Sequence, residues 1–215
     1  MQTPERPRIT GLILAGGRGE RLGGAIKSEL VVGGVRLLDR VAARFEGCDQ
    51  LLVAHGGIAP DKLHLGKGMQ PVPDLPTDYG GPLAGFAGAL SFLASEPTPP
   101  DLVVCAAVDA PFLPPDYVER LVGALGTADA ALAAYEGQLY PTNSVWRVRS
   151  FLDLPRQVLA GTAPRSLKSL AARVNSVTLE WPAASRGDPF ANINTPAELD
   201  EMQRRAAVLD RVPPA

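Results

Sequence analysis

The sequence predicts an α/β fold with a mainly parallel sheet wound on both faces. Apolar runs of strand length alternate with stretches of helical spacing through the first two thirds of the 215-residue chain. One run, Leu102 to Val108, is continuously apolar, as a central strand covered on both sides should be. Another, Ile9 to Leu14, breaks abruptly into a glycine-rich stretch. The hydrophobic fraction of 46% is ample for a core, and the length suits one domain. That domain is set at residues 1–208, with 209–215 as a disordered tail.

The remaining elements follow from local patterns. Leu30 to Val35 is a short apolar piece turned by Gly33-Gly34, and Val35 to Phe45 then carries apolar residues three and four apart, which predicts a helix. Gln50 to Ala54 and Met69 to Val72 are the next strands. Thr77 to Gly85 is a loop entering a helix that begins at Pro82, where a missing N–H costs nothing, and runs to about Ala94. After Leu102 to Val108 a helix is expected over Asp116 to Leu125. Ala130 to Tyr135 and Gln138 to Val148, joined by Glu136-Gly137, predict paired strands. Helices are expected over Phe151 to Ala160 and Arg165 to Val174, and an edge strand over Ser176 to Trp181. Thr195 with Glu198 forms a capping box, with Pro196 at the first position of a helix reaching about Val208.

Composition excludes several functions. With 21 basic and 23 acidic residues the formal charge is −2, which argues against broad nucleic-acid binding. Cys48 and Cys105 lie far apart without CxxC or histidine spacing, so neither a disulfide framework nor a zinc site is expected, and both read as small buried hydrophobes. Met1 to Arg8 is polar and the run after it is too short for a signal peptide. No stretch approaches the roughly 20 apolar residues of a membrane helix. A cytoplasmic protein that engages neither membrane nor nucleic acid is expected. His55 and His64 are isolated and suit loop or surface roles, and Trp146 and Trp181 suit packing.

The stretch from Leu14 to Lys27 holds five glycines among basic side chains. Glycine lets backbone N–H groups approach an anion closely, and Arg18, Arg21 and Lys27 add positive charge, so a phosphorylated ligand is indicated. Two familiar loops fail here. Gly17-Arg18-Gly19 begins a dinucleotide fingerprint, but Leu22 occupies the third glycine's place. A Walker loop needs lysine directly after its last glycine, and Ala25-Ile26 intervene before Lys27. Asp109, immediately beyond the buried strand, lies at the carboxyl edge where open α/β sheets bind ligands. Strand ends at Leu14, Ala54, Pro73 and Asp109 should crowd that edge and make neighbours of Gly16, Lys27, Asp74 and Asp109. The helix start at Pro82 could add a second wall, since helix N-termini favour anions.

Four motifs occur in order between about Thr10 and Leu199: L-A-G-G-x-x-x-R-x-G-G-x-x-K from Leu14, G-P-L-A-G from Gly81, D-x-P-F-L-P from Asp109 and N-I-N-T-P-x-E-L from Asn192. Together they resemble the molybdenum cofactor guanylyltransferase family (MobA). The resemblance implies a three-layer α/β/α, Rossmann-like nucleotidyltransferase fold. It implies transfer of GMP from GTP to molybdopterin with Mg²⁺ and release of pyrophosphate. It places Leu14, Ala15, Gly16, Gly17 and Asp74 at the nucleotide, Lys27 and Arg21 on the triphosphate, and Asp109 on the metal. Gly81, Pro82, Leu83, Asn192 and Asn194 look like the family's pterin-side elements. Molybdenum-insertion or molybdoenzyme-maturation proteins are the partners such an activity could serve.

The chemistry is consistent with that resemblance. A terminal phosphate has a second pKa of about 6 and is already largely ionised near neutral pH, so no general base is needed. Repulsion between two anions is the larger obstacle, and cations must screen it. Magnesium commonly takes only one or two carboxylates, the rest being phosphate and water. Gly17 stands where cytidylyl-transferring relatives carry alanine, and the missing methyl leaves room for a purine. The chain departs from the family at Ile26, where an aspartate usually precedes the lysine, at Ala54, where some relatives place a nucleotide-contacting asparagine, and at Tyr140, an often basic or imidazole position. The Ile26 change either weakens metal or loop organisation or is compensated elsewhere. Two alternatives stay open: transfer onto another phosphorylated small molecule, and a non-catalytic nucleotide-binding regulatory module.

Overall fold

The computed structural model describes residues 6–77, 80–183 and 187–209, with the side chains of Arg18 and Glu20 outside that set. Asp78 and Tyr79 of the second loop and residues 210–215 of the expected tail also lie outside the described residues. The first strand, β1 (Ile9–Leu14), feeds a loop in which β2 (Arg18–Gly19) pairs antiparallel with β3 (Ala25–Ile26). A tight hairpin, β4 (Val31–Val32) and β5 (Val35–Arg36), leads into α1 (Leu37–Ala42). Then come β6 (Gln50–Ala54), β7 (Met69–Val72), α2 (Pro82–Leu93), β8 (Leu102–Ala107) and α3 (Tyr117–Leu125). The chain continues through β9 (Ala130–Tyr135), β10 (Gln138–Arg147), α4 (Leu154–Leu159), α5 (Leu167–Ala171), β11 (Ser176–Trp181) and α6 (Pro196–Leu209).

Seven strands form one sheet in the order β11-β9-β10-β8-β1-β6-β7. β1 runs parallel to β6 and β8, β6 to β7, and β9 to β11, while β10 is antiparallel to both its neighbours. Side-chain alternation divides the interior into two cores. Ile13, Val104, Ala106 and Ala131 face α1, α3 and α6 through Leu38, Leu121 and Met202. Leu12, Val103, Cys105 and Leu132 face α2, α4 and α5 through Phe86, Val158 and Leu170. The result is the three-layer α/β/α arrangement, with β11 at one edge as expected and β7 at the other.

Three helices are shorter than their apolar periodicity suggests. α1 stops at Ala42, and residues 43–45 tighten into a 3₁₀ turn, as helix ends commonly do. That turn places Phe45 across Gly11, where a Cβ would come within 2.5 Å of the ring. α4 begins at Leu154 because Pro155 suits only the first turn. Ser166 caps α5 by accepting from the Ser169 N–H at 3.1 Å, which fixes its start. In α6 the capping box is formed in both directions: the Glu198 N–H donates to Thr195 Oγ1 at 3.3 Å, and Glu198 Oε2 accepts from the Thr195 N–H at 2.8 Å. Both cysteines are free; Cys105 is buried as expected, but Cys48 is only half-buried, and burial pushes its thiol up to about 11. Among the described residues, no helix is long and apolar enough to cross a membrane.

α2 lies unusually close to the end of β7. A Cβ on Gly88 would sit 2.1 Å from the Pro73 carbonyl oxygen, and one on Gly85 would meet Asp74 Oδ1 at 3.3 Å. Helix backbone therefore packs directly on the segment that carries Asp74. Gly88→Ala gains roughly 0.5–1 kcal/mol of helix propensity, yet overpacking should outweigh it and lower stability by about 1–3 kcal/mol. Urea denaturation measures this, and a neutral or stabilising result would contradict the close approach.

Candidate functional site

The carboxyl ends of β1, β6, β7 and β8 converge as the topology requires. Between them lies a cavity of about 230 Å³. Leu14, Gly16 and Gly17 line it from the first loop, Ala54, Asp74 and Ala107 from the neighbouring strand ends, and Gly81, Pro82 and Gly85 from the start of α2. Asp109, Thr142 and Asn192 complete the wall. Two glycine turns touch through their backbones: a Cβ on Gly16 would lie 2.9 Å from the Gly56 Cα. Only glycine permits that approach at Gly56, whose φ is +59°. Gly17 differs, because a Cβ there would meet only the Lys27 side chain, at 3.6 Å.

Beside the cavity sits an ion pair. Lys27 Nζ donates to Asp109 Oδ2 at 2.6 Å and to Asn194 Oδ1 at 2.7 Å. The two charged side chains are 10% and 14% exposed, so most of their hydration is gone. The Ile193 N–H donates to the Asp109 carbonyl at 3.0 Å and ties the segment before α6 to the same strand end. No described residue bonds Asp109 Oδ1. Asn192 Oδ1 is buried without a hydrogen-bond partner on the wall it shares with Asp109. An orphaned acceptor beside a carboxylate is a donor set suited to a hard cation, and phosphate oxygens and water would complete it. Among the described residues, no cluster of three or more His, Cys, Asp or Glu side chains could hold a metal without such help.

Asp74 is anchored by its Oδ1, which accepts from the Gly56 N–H at 2.9 Å. Burial raises its pKa, and the Gly56 bond and nearby His55 only partly oppose that. His55 is buried and closes the turn after β6, with Nδ1 2.7 Å from the Ile58 carbonyl. The exposed His64 pairs with Glu29 at 2.8 Å, away from the cavity lining.

The sequence-expected residues fall into three groups. Leu14, Gly16, Gly17, Asp74, Gly81, Pro82, Asp109 and Asn192 share the cavity wall, Lys27 joins them through Asp109, and Asn194 joins through Lys27. Ala15 and Leu83 are fully buried behind the wall, and Ala15 contributes its N–H to the Ala54 carbonyl at 2.7 Å. Arg21 is exposed in the 3₁₀ turn 20–22 and makes no ion pair with a described residue, and the side chain of Arg18 lies outside the described set. Thr142 was not anticipated. It reaches the wall because the β9–β10 register shifts between Tyr140 and Ser144, an irregularity that Pro141 inside a strand pattern could have signalled. Tyr140 itself turns away to donate its hydroxyl to Asp188.

Residues 11–177 match the family described as the MobA-like NTP transferase domain. A molybdenum cofactor guanylyltransferase of Bradyrhizobium sp. (strain ORS 278) is 37% identical over 205 residues, 94% of this chain and 95% of that protein. The solved structure of molybdopterin-guanine dinucleotide biosynthesis protein A from Archaeoglobus fulgidus superposes with a TM-score of 0.71 at 23% identity, covering 93% of this chain and all of that one. A Mycobacterium tuberculosis H37Rv protein solved in complex with manganese gives a TM-score of 0.69 at 18% identity, over 93% and 100% of the two chains.

The raised Asp74 pKa has a consequence for stability. Between its ordinary value of 3.8 and its folded value, the folded protein holds more protons than the unfolded chain, so this group's contribution to stability falls as pH rises. Asp74→Asn removes the charge and keeps an acceptor for the Gly56 N–H. The variant should therefore gain stability relative to the wild type as pH rises from acid to neutral. Denaturation midpoints across that range check the sign, and a gain confined to acid pH would refute the assignment.

Proposed function

Because this chain belongs to the MobA-like NTP transferase domain family, we propose that it transfers GMP from GTP to molybdopterin and releases pyrophosphate. The observation that supports this reading best is the meeting of Lys27, Asp109, Asn192 and Asn194 beside a cavity floored by the glycine loop. In the reaction a phosphate oxygen of molybdopterin bonds to the α-phosphorus of GTP while the bond from that phosphorus to the bridging oxygen breaks. Pyrophosphate takes the electron pair. The nucleophile is already an anion, so the protein's task is to align two anions and offset their repulsion.

The roles divide by position. The cavity, small for a whole nucleotide, receives the guanosine end, with Asp74 and backbone carbonyls as acceptors for guanine's N–H donors. The triphosphate lies outward along the glycine loop, within reach of Lys27 and the exposed Arg21. Gly81 and Pro82, backed by the buried Leu83, shape the wall toward molybdopterin, and Asn192 and Asn194 approach it from the segment before α6. A divalent cation, magnesium in this proposal, would be held by Asp109 with Asn192 Oδ1 and would supply positive charge at the phosphates. Lys27 keeps Asp109 neutralised before the substrates arrive, and the incoming phosphates offer it a second anionic partner. The segment 1–208 acts as one catalytic unit in this reading.

Incubation with Mg²⁺, molybdopterin and either GTP or CTP, followed by pyrophosphate measurement, tests the proposal. GTP should be the productive donor, and preference for CTP would sink the guanine assignment. GTP binding without turnover would favour a non-catalytic module. Asp109→Asn should lower turnover by at least about a hundredfold, as loss of a principal electrostatic group does, and near-wild-type activity would remove Asp109 from the metal site. Gly17→Ala separates base choice from folding. Its Cβ makes only an ordinary contact at 3.6 Å, so thermal stability should stay unchanged while the GTP-over-CTP preference falls. An unchanged preference would show that Gly17 does not set it.

A further inference from the structure

A second cavity, of about 380 Å³, lies further along the Asp109 loop. Its walls come from five elements: Arg40 of α1, Arg44 of the 3₁₀ turn after it, Arg120 of α3, Arg205 of α6 and Trp181 at the end of β11. Phe112 forms part of its floor, three residues beyond Asp109. Among the described residues Asp116 is the one acid in the lining, 3.8 Å from Arg120, and Arg44, Arg120 and Arg205 face it across the cavity. The guanidinium carbons of Arg205 and Arg40 lie 4.5 and 5.6 Å from the Phe112 ring centre, and that of Arg120 lies 4.8 Å from the Trp181 ring. These rings hold the guanidinium groups in place.

The orphaned atoms point the same way. Six buried side-chain polar atoms among the described residues lack a hydrogen-bond partner, and three belong to this lining: Arg44 Nε, Arg205 Nε and Trp181 Nε1. All three are N–H donors. Arg205 does spend other hydrogens on the Asp188 and Gly187 carbonyls, at 2.6 and 3.4 Å, and Arg40 Nε bonds the Val32 carbonyl at 2.7 Å. Among the described residues, the demand left at Arg44, Arg120, Arg205 and Trp181 is for acceptors alone, carrying more than one negative charge and approached from several sides. A planar carboxylate offers only two oxygens, whereas a phosphate presents tetrahedral ones that suit guanidinium forks from separate elements.

We propose that this cavity is a second oxyanion site, distinct from the nucleotide cavity, that binds a small phosphate polyanion between Arg44, Arg120 and Arg205 with Trp181 Nε1 as a further donor. The assignment rests on this lining and not on the guanylyl-transfer reading.

Trp181 is its own reporter, since Trp146 is fully buried in the core on the other face of the sheet. Titration of the whole chain with pyrophosphate at fixed ionic strength should change Trp181 fluorescence saturably. The paired substitution Arg44→Gln and Arg120→Gln should weaken that response by about tenfold or more, as loss of charge-assisted bonds implies. Lys27→Gln, which alters only the first site, should leave it intact. The proposal is overturned by absence of a saturable response, by a response that follows Lys27 instead of the arginines, or by tighter binding of a dicarboxylate than of pyrophosphate. If circular dichroism shows the glutamine pair unfolded, Arg44→Lys with Arg120→Lys keeps the charge and removes the forks. Unchanged pyrophosphate affinity in that pair would equally reject the site.

Discussion

The bond from Lys27 to Asp109 is the contact on which the site depends. It joins residues 82 apart, and the companion bond to Asn194 spans 167 positions, so three motifs scattered along the chain meet at one ammonium group. Two charges taken largely out of water lose hydration that their attraction only partly restores, so the pair owes its persistence to the third, neutral acceptor and to fixed geometry. Removing either charge would strand the other. Before a nucleotide arrives, Lys27 therefore performs the neutralisation at Asp109 that the proposed cation would later assume. In the proposed reaction the triphosphate would in turn offer the lysine an anion of higher charge.

That contact works only because the backbone around it is packed to an unusual closeness. Gly16 and Gly56 touch where β1 and β6 end, and α2 presses Gly88 against Pro73 just before Asp74. The strand order puts β1 between β6 and β8, so the loop after β1 is flanked by the turn carrying Gly56 and by the Asp109 strand end. Side chains at these glycines would push the walls apart and separate Asp74 from the loop it faces. The cavity is thus shaped mainly by main chain, with few polar side chains, a sparing arrangement common to ligand sites in α/β sheets.

Much of this was legible because it is local. β6, β7, β9 and β11 end where their apolar runs end, and the capping box at Thr195 fixes α6 through bonds between residues three apart. The strand-end location of Asp109 also follows from one uninterrupted run. What the pattern could not give depends on packing across the sheet. The last turn of the first helix tightens as Phe45 fills space over Gly11, and Thr142 reaches the cavity only through the altered pairing of β10 with β9. The arginine cavity was invisible for the same reason. Its cations are spread over α1 and the turn after it, α3 and α6, and each alone reads as an ordinary residue on the wet face of a helix.

Ile26 stands where the family resemblance implies an aspartate. A carboxylate there could organise the loop, bind the cation, or do both. Loop organisation does not need it here. Ile26 pairs with Arg18 in the β2–β3 ribbon, the Gly24 N–H closes on the Gly19 carbonyl at 2.9 Å, and Gly23 and Gly24 adopt left-handed φ values of 70° and 78° that make the turn. Main-chain bonds thus present Lys27 to Asp109. If Asp109 holds the proposed cation, cation binding is the function that the substitution touches, and it is there that Asn192 offers a neutral oxygen left without a partner. Replacing a charged ligand by a neutral one weakens attraction for the bare ion more than for an ion arriving with a triphosphate, whose own oxygens supply most of the charge. In this chain the cation and the nucleotide should therefore bind together more strongly than the cation binds alone.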